Sequence, residues 1–334
     1  MGTSPGTETS LLAPRPTEEG EVPSLTLRER FLIWWEGYDL EAIMERRRRI
    51  QAERDAAAGI GGAGAQGADG DHLNRNGKPL WTATRIGVVE KIWGDGFATP
   101  GGDEHIPTLV KPFGLNPAMS VLDIGAGLGG STRAMAKQFG AWVTGLEGNP
   151  TLAEAGMFRS HKSGQARQAP VQLFEPEKFA WPKRVDCVFA KECFFTVRNK
   201  DGMIDGVERC MKPRGQLLFT DYVIDKAVPR GRNYDSWLSH EPVEPQPWEV
   251  GQYVSALEQR RLDIRIAEDI SDMHKSLILN AIQGLVQHLE QHSMDNETKV
   301  AVVEEVELWA RRVAALESGL RVYRFYAMKH AEVS

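Results

Sequence analysis

A glycine-rich turn, GAGLGG at residues 125–130, carries the clearest chemical pattern in the sequence. It matches GxGxxG, the pattern of turns that bring a dinucleotide pyrophosphate to a helix N-terminus. Asp123, two residues before the first glycine, would repel a pyrophosphate but suits a cationic amino group, with helix or turn capping as its alternative role. Glu147 ends the next predicted strand, where a carboxylate can accept hydrogen bonds from ribose hydroxyls. The pattern therefore favours S-adenosylmethionine, which has a ribose, an amino-acid head and no phosphate, over a dinucleotide.

A second stretch, AKECFFTV at residues 190–197, ends another predicted strand. Glu192 is its best carboxylate, either for binding the cofactor or for orienting an amine substrate. Cys193 is predicted to be a buried small residue rather than a nucleophile, because only Lys191 could lower its pKa. Thr196 cannot act as a base near neutral pH. The residues of this stretch could therefore position a substrate, but they include no group expected to remove its proton.

Alternating strands and helices must position these residues. The predicted strands are SVLDI, AWVTGLE, APVQLF, RVDCVFAKE, GQLLFTDYV, DIRIAEDI and RVYRFYAMK. Helical segments separate most of them, which predicts βαβ units and a parallel sheet covered on both faces. Residues 223–250 interrupt the alternation with four prolines, which predicts a lid insertion over the edge of the sheet that holds the site.

The residues before the main domain differ from it in amino-acid composition. Residues 1–23 are rich in Pro, Thr, Ser, Gly and Glu and predict a disordered tail. Residues 24–58 have apolar residues near helical spacing and predict a helical arm that packs on the main domain or on a partner chain. Residues 59–75, rich in Gly and Ala, predict a flexible linker. The main domain is expected to span residues 76–334.

Composition excludes several classes of function. The formal net charge of -6 gives no overall basis for binding nucleic acid. The three cysteines form no CxxC pair or zinc-type cluster, so no metal site is predicted. With no signal-peptide pattern and no apolar run of membrane-spanning length, we expect a cytoplasmic protein without integral membrane association.

Longer segments resemble a known enzyme class. VLDIGAGLGGSTRAMAKQFGAWVTGLE is similar to the cofactor motif of class I S-adenosylmethionine-dependent methyltransferases. LWTATRIGVVEKIWGDGFATPGGDE and DCVFAKECFFTVRNKDGMIDGVERCMKPRGQLLFTDYV resemble segments of the phosphoethanolamine N-methyltransferases within that class. The resemblance implies an α/β, Rossmann-like fold with a seven-stranded, mostly parallel sheet, to which this chain adds the helical arm and the lid.

The resemblance also assigns roles to residues. For S-adenosylmethionine it implies contacts from Thr99, Asp123, Gly125, Gly127, Glu147, Glu175 and Lys191. The family pairs a tyrosine with a histidine, and Trp81 and Thr196 stand at those two positions here. Tyr222 is retained, and Arg312 lies near a basic position of the family. The predicted catalytic positions are therefore Trp81, Glu192, Thr196 and Tyr222, and the missing pair argues against phosphoethanolamine as the substrate.

The acceptor side allows more than one reaction. Phe194 and Phe195 could add aromatic faces to the pocket, with one of the two expected in the core, and Arg312 is a candidate substrate contact. His105 could act as a base, although a single histidine at the start of a helix is more often structural. We expect methyl transfer to a small amine or similar soft nucleophile, with C-, S- or O-methylation of a lipid or secondary metabolite as the alternative. A non-catalytic methyltransferase-like binding protein, and a homodimer through the arm, also remain open.

Overall fold

The computed structural model describes residues 73–75, 77–291 and 294–331. The predicted tail, the helical arm with its proposed dimer contact, and most of the linker lie outside the described residues.

The described residues form one eight-stranded sheet in which every strand but one runs in the same direction. Its members are β1 Ser120–Ile124, β2 Trp142–Glu147, β3 Val171–Leu173, β4 Val185–Lys191, β5 Met211–Ile224, β6 Trp248–Glu249, β7 Leu262–Asp269 and β8 Leu320–Lys329. The order is β3-β2-β1-β4-β5-β8-β7, with β6 paired to the end of β5. Strand β8 is antiparallel to both β5 and β7. The predicted mostly parallel sheet is confirmed, and the two-residue β6 within the lid segment is the strand that the sequence did not reveal.

Nine α-helices connect or cover these strands in the described part of the chain. They are α1 Ala83–Trp93, α2 Gly102–Leu109, α3 Gly130–Phe139, α4 Pro150–Lys162, α5 Lys200–Cys210, α6 Arg232–His240, α7 Val250–Gln259, α8 Ser271–Gln291 and α9 Asn296–Leu316. Asn149 caps α4 by accepting from the N–H groups of Thr151 and Leu152, and the proline at the first position of that helix needs no partner. The predicted lid segment contains α6 and β6.

Buried apolar residues lie on both faces of the sheet because side chains alternate along β5. Phe219 and Val223 pack with residues of α5 and α7. Tyr222, on the opposite face, packs with Trp237 of α6 and with Leu316 of α9. The carboxyl ends of β1, β2, β4 and β5 meet at one edge, which is where ligands bind in open parallel sheets.

Candidate functional site

The glycine turn after β1 uses two of its glycines for different reasons. Gly125 has φ +75°, and a Cβ there would lie 2.5 Å from Cys193 Cβ. Gly127 has φ +56°, and no described atom lies within 4 Å of the position that its Cβ would take. Both conformations favour glycine, which has no Cβ. Gly125 therefore lets the turn pack against the end of β4, whereas Gly127 faces open space that a ligand could fill.

Asp123 and Glu147 are acids held by neighbours close in sequence. Asp123 is buried, and its Oδ2 accepts hydrogen bonds of 2.7 Å from the hydroxyls of Ser131 and Thr132. Burial raises its pKa to about 6, against the opposing effect of those hydroxyls. The Glu147 oxygens accept from the N–H of Gly127 and of Asn149, each at 2.8 Å. Burial also raises the pKa of Glu147, and its bonds tie the glycine turn to the start of α4.

Lys191, the last residue of β4, connects this edge to the segment before α2. Its Nζ donates to Thr99 Oγ1 at 2.7 Å and to the Pro100 carbonyl at 2.6 Å. Nζ also lies 3.4 Å from Glu192 Oε1. Burial lowers the pKa of Lys191, and the Glu192 charge opposes that shift. Thr99 and Lys191, both predicted to contact the cofactor, are thus direct partners.

Glu192 is held in an unusual position directly after β4. Its backbone has φ +53°, a region that residues other than glycine adopt at a cost of order 1–3 kcal/mol; Arg214 and Arg261, outside the site, also adopt it. The side chain is only 2% exposed, yet Oε2 has no hydrogen-bond partner among the described residues. Burial opposes the charge on Glu192, but the Lys191 charge holds the pKa of Glu192 below the usual range. The site therefore contains an ionised carboxylate with one oxygen available.

A buried tyrosine–histidine pair lies next to Glu192. Tyr222 Oη is 2.9 Å from His274 Nε2, and His274 Nδ1 is 3.6 Å from Glu192 Oε1. Burial lowers the pKa of His274 to about 4, so the ring is neutral at pH 7. Burial raises the pKa of Tyr222 well above its usual range, so its hydroxyl keeps its proton.

The side chain of Arg312, on α9, lies against the Tyr222–His274 pair, and its positive charge is balanced by a carboxylate. Its Nε and Nη2 donate to the two oxygens of Glu241, at 2.6 and 2.9 Å. Glu241 belongs to the predicted lid segment, is buried, and also accepts from Trp237 Nε1 at 2.7 Å. The guanidinium lies 5.6 Å from the centre of the Tyr222 ring. The lid thus supplies the carboxylate that cancels the charge of Arg312.

Further buried polar atoms without a described partner lie beside Glu192. Lys191, Thr220 and Arg324 are in register across β4, β5 and β8. Thr220 Oγ1 and Arg324 Nε are buried and, within the described ranges, have no hydrogen-bond partner. Buried polar groups in native proteins are nearly always satisfied by protein, water or ligand. This face of the sheet therefore fits a polar ligand or bound water.

The other predicted residues are more dispersed. Trp81 lies just before α1, with the Arg85 guanidinium 4.2 Å from the centre of its ring. Thr196 donates its hydroxyl to the Cys193 carbonyl at 3.0 Å. Glu175 has a side chain 61% exposed and is paired with Lys178, so it makes no contact with the acids described above. The roles of these three residues remain predictions.

The two adjacent phenylalanines point into different clusters. Phe194 packs 5.3 Å from the Phe219 ring in the core on the α5 and α7 face. Phe195 lies 5.0 Å from the Tyr222 ring on the opposite side. The single 3-10 turn that contains both directs neighbouring side chains apart. Phe194 is thus the phenylalanine that lies in the core, whereas Phe195 lies beside two predicted site residues, Tyr222 and Arg312. Contact of either ring with the acceptor stays a prediction.

Sequence reasoning missed His274 and Glu241. His274 lies on the stripe of α8 that also carries the buried Ile278, Ile282 and Leu285. A polar residue on a buried helical stripe is a detectable signal. Glu241 had no comparable signal, because the prolines around it suggested only an irregular segment. His105 is half-buried on α2, and burial and the Lys191 charge lower its pKa.

Comparison with known proteins identifies the kind of domain that contains this site. A family profile described as a methyltransferase domain matches residues 122–219, from β1 to β5. Residues 122–219 belong to a methyltransferase domain. The predicted methyltransferase class is confirmed for this part of the chain. Which residues hold S-adenosylmethionine remains a prediction.

The relatives of the methyltransferase domain act on different acceptors. Phosphoethanolamine N-methyltransferase 2 of Caenorhabditis elegans is 30% identical over 43% of this chain and 33% of that protein. Sterol 24-C-methyltransferase of Yarrowia lipolytica is 27% identical over 50% of this chain and 45% of that protein. Phosphoethanolamine N-methyltransferase 2 of Haemonchus contortus, solved with phosphomonomethylethanolamine and S-adenosylhomocysteine, has a TM-score of 0.66 and 21% identity over 76% of this chain and 62% of that one. The chain matches about a third to two-fifths of the length of the first curated relatives.

The residues of the turn fit the cofactor of this class. The open space at Gly127 allows close approach to the backbone, and Asp123 offers a carboxylate to an amino group. Among the described residues, no helix is long and apolar enough to cross a membrane. No cluster of three or more His, Cys, Asp or Glu side chains within the same ranges could hold a metal ion.

Proposed function

We propose that the methyltransferase domain transfers a methyl group from S-adenosylmethionine to the nitrogen of a small amine that carries no phosphate. The observation that carries the proposal is Glu192: a buried, ionised carboxylate at the carboxyl end of β4, with Oε2 free of any described partner. A carboxylate in that state suits an N–H donor.

The charges around Glu192 favour an amine without a phosphate group over a phosphorylated amine. Lys191 is offset by Glu192 at 3.4 Å, and Arg312 by Glu241 at 2.6 Å. His274 is neutral, because burial lowers its pKa to about 4. Arg324, whose Nε has no described partner, is paired through Nη2 with Glu268 at 2.8 Å. With their charges offset in this way, these groups leave no unpaired positive charge for a phosphate dianion, whose burial without a counter-charge would be very costly.

The proposed roles follow from an in-line displacement. The bound cofactor supplies a methyl group on a sulfonium, which is a strong electrophile. Glu192 Oε2 accepts a hydrogen bond from the amine and so directs the nitrogen lone pair away from the carboxylate, toward the methyl group. Transfer would form the N–C bond and leave the electrons of the broken C–S bond on the sulfur of the cofactor. The amine nitrogen would gain positive charge close to Glu192, so this carboxylate would stabilise the transition state more than the ground state.

A matched pair of acceptors tests the proposal. We would measure S-adenosylhomocysteine formation with ethanolamine and N-methylethanolamine, and with their phosphorylated counterparts. The unphosphorylated amines are expected to react at least tenfold faster, and Glu192→Gln should lower their kcat by about 10²-fold or more. Equal or faster reaction of phosphoethanolamine would refute the charge argument. Absence of S-adenosylmethionine binding in calorimetry would exclude both enzyme candidates and favour a non-catalytic relative.

A C-methyltransferase is the second candidate. The buried rings of Phe195, Tyr222 and Trp237, with centroids 5.0 to 6.4 Å apart, could stabilise a carbocation, and the similarity to a sterol 24-C-methyltransferase points the same way. Methylation of a sterol but of none of the amines would favour it.

A further inference from the structure

A continuous series of buried side chains runs from the lid to the free oxygen of Glu192. Glu241 binds Arg312, Arg312 lies against Tyr222, and Tyr222 Oη is 2.9 Å from His274 Nε2. His274 Nδ1 then lies 3.6 Å from Glu192 Oε1. Neither Trp81 nor Thr196, which stand at the positions of the family's tyrosine and histidine, belongs to this series.

The geometry selects one tautomer of His274. The neutral ring has one N–H and one lone pair. A lone pair on Nδ1 would face the carboxylate of Glu192, which is repulsive, whereas an N–H there is attracted to it. Nε2 is then the acceptor, and the Tyr222 hydroxyl donates to it. Both ring nitrogens thus have defined partners, and the ring orientation is fixed.

The same contacts divide the two oxygens of Glu192. Lys191 Nζ, at 3.4 Å, and His274 Nδ1, at 3.6 Å, both face Oε1. Oε2 is left for another donor. With His274 absent, Lys191 alone would orient the carboxylate, and rotation about its terminal bond would move Oε2.

We infer that His274 is a positioning residue for methyl transfer. Its Nδ1, 3.6 Å from Glu192 Oε1, presents an N–H that attracts that oxygen electrostatically, its Nε2 accepts from Tyr222, and Glu192 Oε2 is thereby directed at the acceptor. The inference rests on the proposed role of Glu192 in holding the amine. It needs no proton to pass through His274, whose neutral form performs the task.

Two substitutions separate the hydrogen bond of His274 to Tyr222 from its electrostatic contact with Glu192. In His274→Asn the amide nitrogen can replace the Nδ1 donor toward Glu192, and the contact with Tyr222 is lost. In His274→Gln the amide oxygen can replace the Nε2 acceptor toward Tyr222, and the contact with Glu192 is lost. We expect His274→Gln to lower kcat for ethanolamine by about 10- to 100-fold, since small errors in placement carry effects of this size. His274→Asn should retain at least fivefold more activity than His274→Gln.

Three controls isolate the positioning role. His288→Asn, on the exposed side of the same helix, should leave kcat unchanged. Thermal unfolding and calorimetry with S-adenosylmethionine should show that both His274 variants fold and bind the cofactor. In the Glu192→Gln background, His274→Gln should cause little additional loss, because residues that act through one another are not additive.

A spectroscopic measurement tests the tautomer without any acceptor. In ¹⁵N-histidine-labelled protein, His274 should show a protonated Nδ1 and an unprotonated Nε2. The reverse tautomer, equal activity of the Asn and Gln variants, or full additivity with Glu192→Gln would each overturn the inference. If Glu192→Gln itself leaves turnover of the amines unchanged, the proposed function fails instead.

Discussion

The two halves of the candidate site are built in different ways. On the cofactor side, Asp123 and Glu147 bond to groups at most 20 residues away, such as Thr132 and the Gly127 N–H. On the acceptor side, Glu192 depends on His274, 82 positions later, and Arg312 binds Glu241 at a separation of 71. The first half is a local motif with its acids satisfied, whereas the second is assembled from distant segments and leaves a carboxylate oxygen free. Changes on the acceptor side should therefore leave cofactor binding largely intact. Changes on the cofactor side should affect the reaction with the acceptor more strongly.

The largest expected effect comes from Glu241→Gln. The substitution keeps the shape but leaves the buried Arg312 charge without its counter-ion, and breaking a buried pair costs about 3–5 kcal/mol. Chemical denaturation should show this loss, and kcat should fall while the Kd of S-adenosylmethionine at 25 °C stays within threefold. Loss of cofactor affinity in the folded variant would show that the halves are not separable. Glu244→Gln, in an exposed pair of the same segment, is the control and should change stability by less than about 1 kcal/mol.

Gly127→Ala tests the cofactor side alone. An alanine in the left-handed region costs about 1–2 kcal/mol, and its methyl group would occupy the open space at the turn. Gly164→Ala is the matched control, with φ +72° and likewise no described atom within 4 Å. Both variants should lose similar stability, but only Gly127→Ala should weaken S-adenosylmethionine binding, by tenfold or more. Equal affinities in the two variants would mean that the turn does not hold the cofactor.

Asp123 predicts a pH dependence of cofactor binding. Burial raises its pKa to about 6, and a cationic amino group binds the ionised form. Affinity should be full above pH 6 and fall by about tenfold per unit between pH 6 and 4, because each unit corresponds to about 1.4 kcal/mol. The stability of the cofactor-free protein should show the opposite trend. The folded state binds the Asp123 proton more tightly than the unfolded state, so the contribution of Asp123 to the free energy of unfolding declines as pH rises from 4 to 6. Calorimetry on the protein and on Asp123→Asn, which should lack this pH dependence, would test the assignment.

The smallest effect is expected at Glu175. Its exposed carboxylate pairs with Lys178, and exposed pairs contribute about 0–1 kcal/mol. Glu175→Ala should change the Kd of S-adenosylmethionine by less than about threefold, in line with that range. A larger loss would support the predicted contact with adenine and would add a solvent-exposed residue to the cofactor side.

The same contrast explains what the sequence could predict. Asp123, the glycines and Glu147 were found because one strand, one turn and the next strand bring them together within 25 residues. Strand alternation likewise predicted the sheet, except for β6, which has two residues and no periodicity to detect. His274 and Glu241 could not be placed, because their contacts depend on how α8 and the lid segment pack on the sheet. Which of Phe194 and Phe195 enters the core could not be predicted, because the direction of a side chain in a 3-10 turn is not fixed by residue type.

The close packing of Gly125 against Cys193 has an evolutionary consequence. A Cβ at position 125 would overlap the Cys193 side chain, so the two positions share one small volume at the junction of the halves. Homologues that enlarge residue 193 must keep glycine at 125, and those that lose this glycine must shrink residue 193 or shift the loop that bears Glu192. The two positions are therefore expected to covary, and libraries that diversify the acceptor loop should hold residue 193 small.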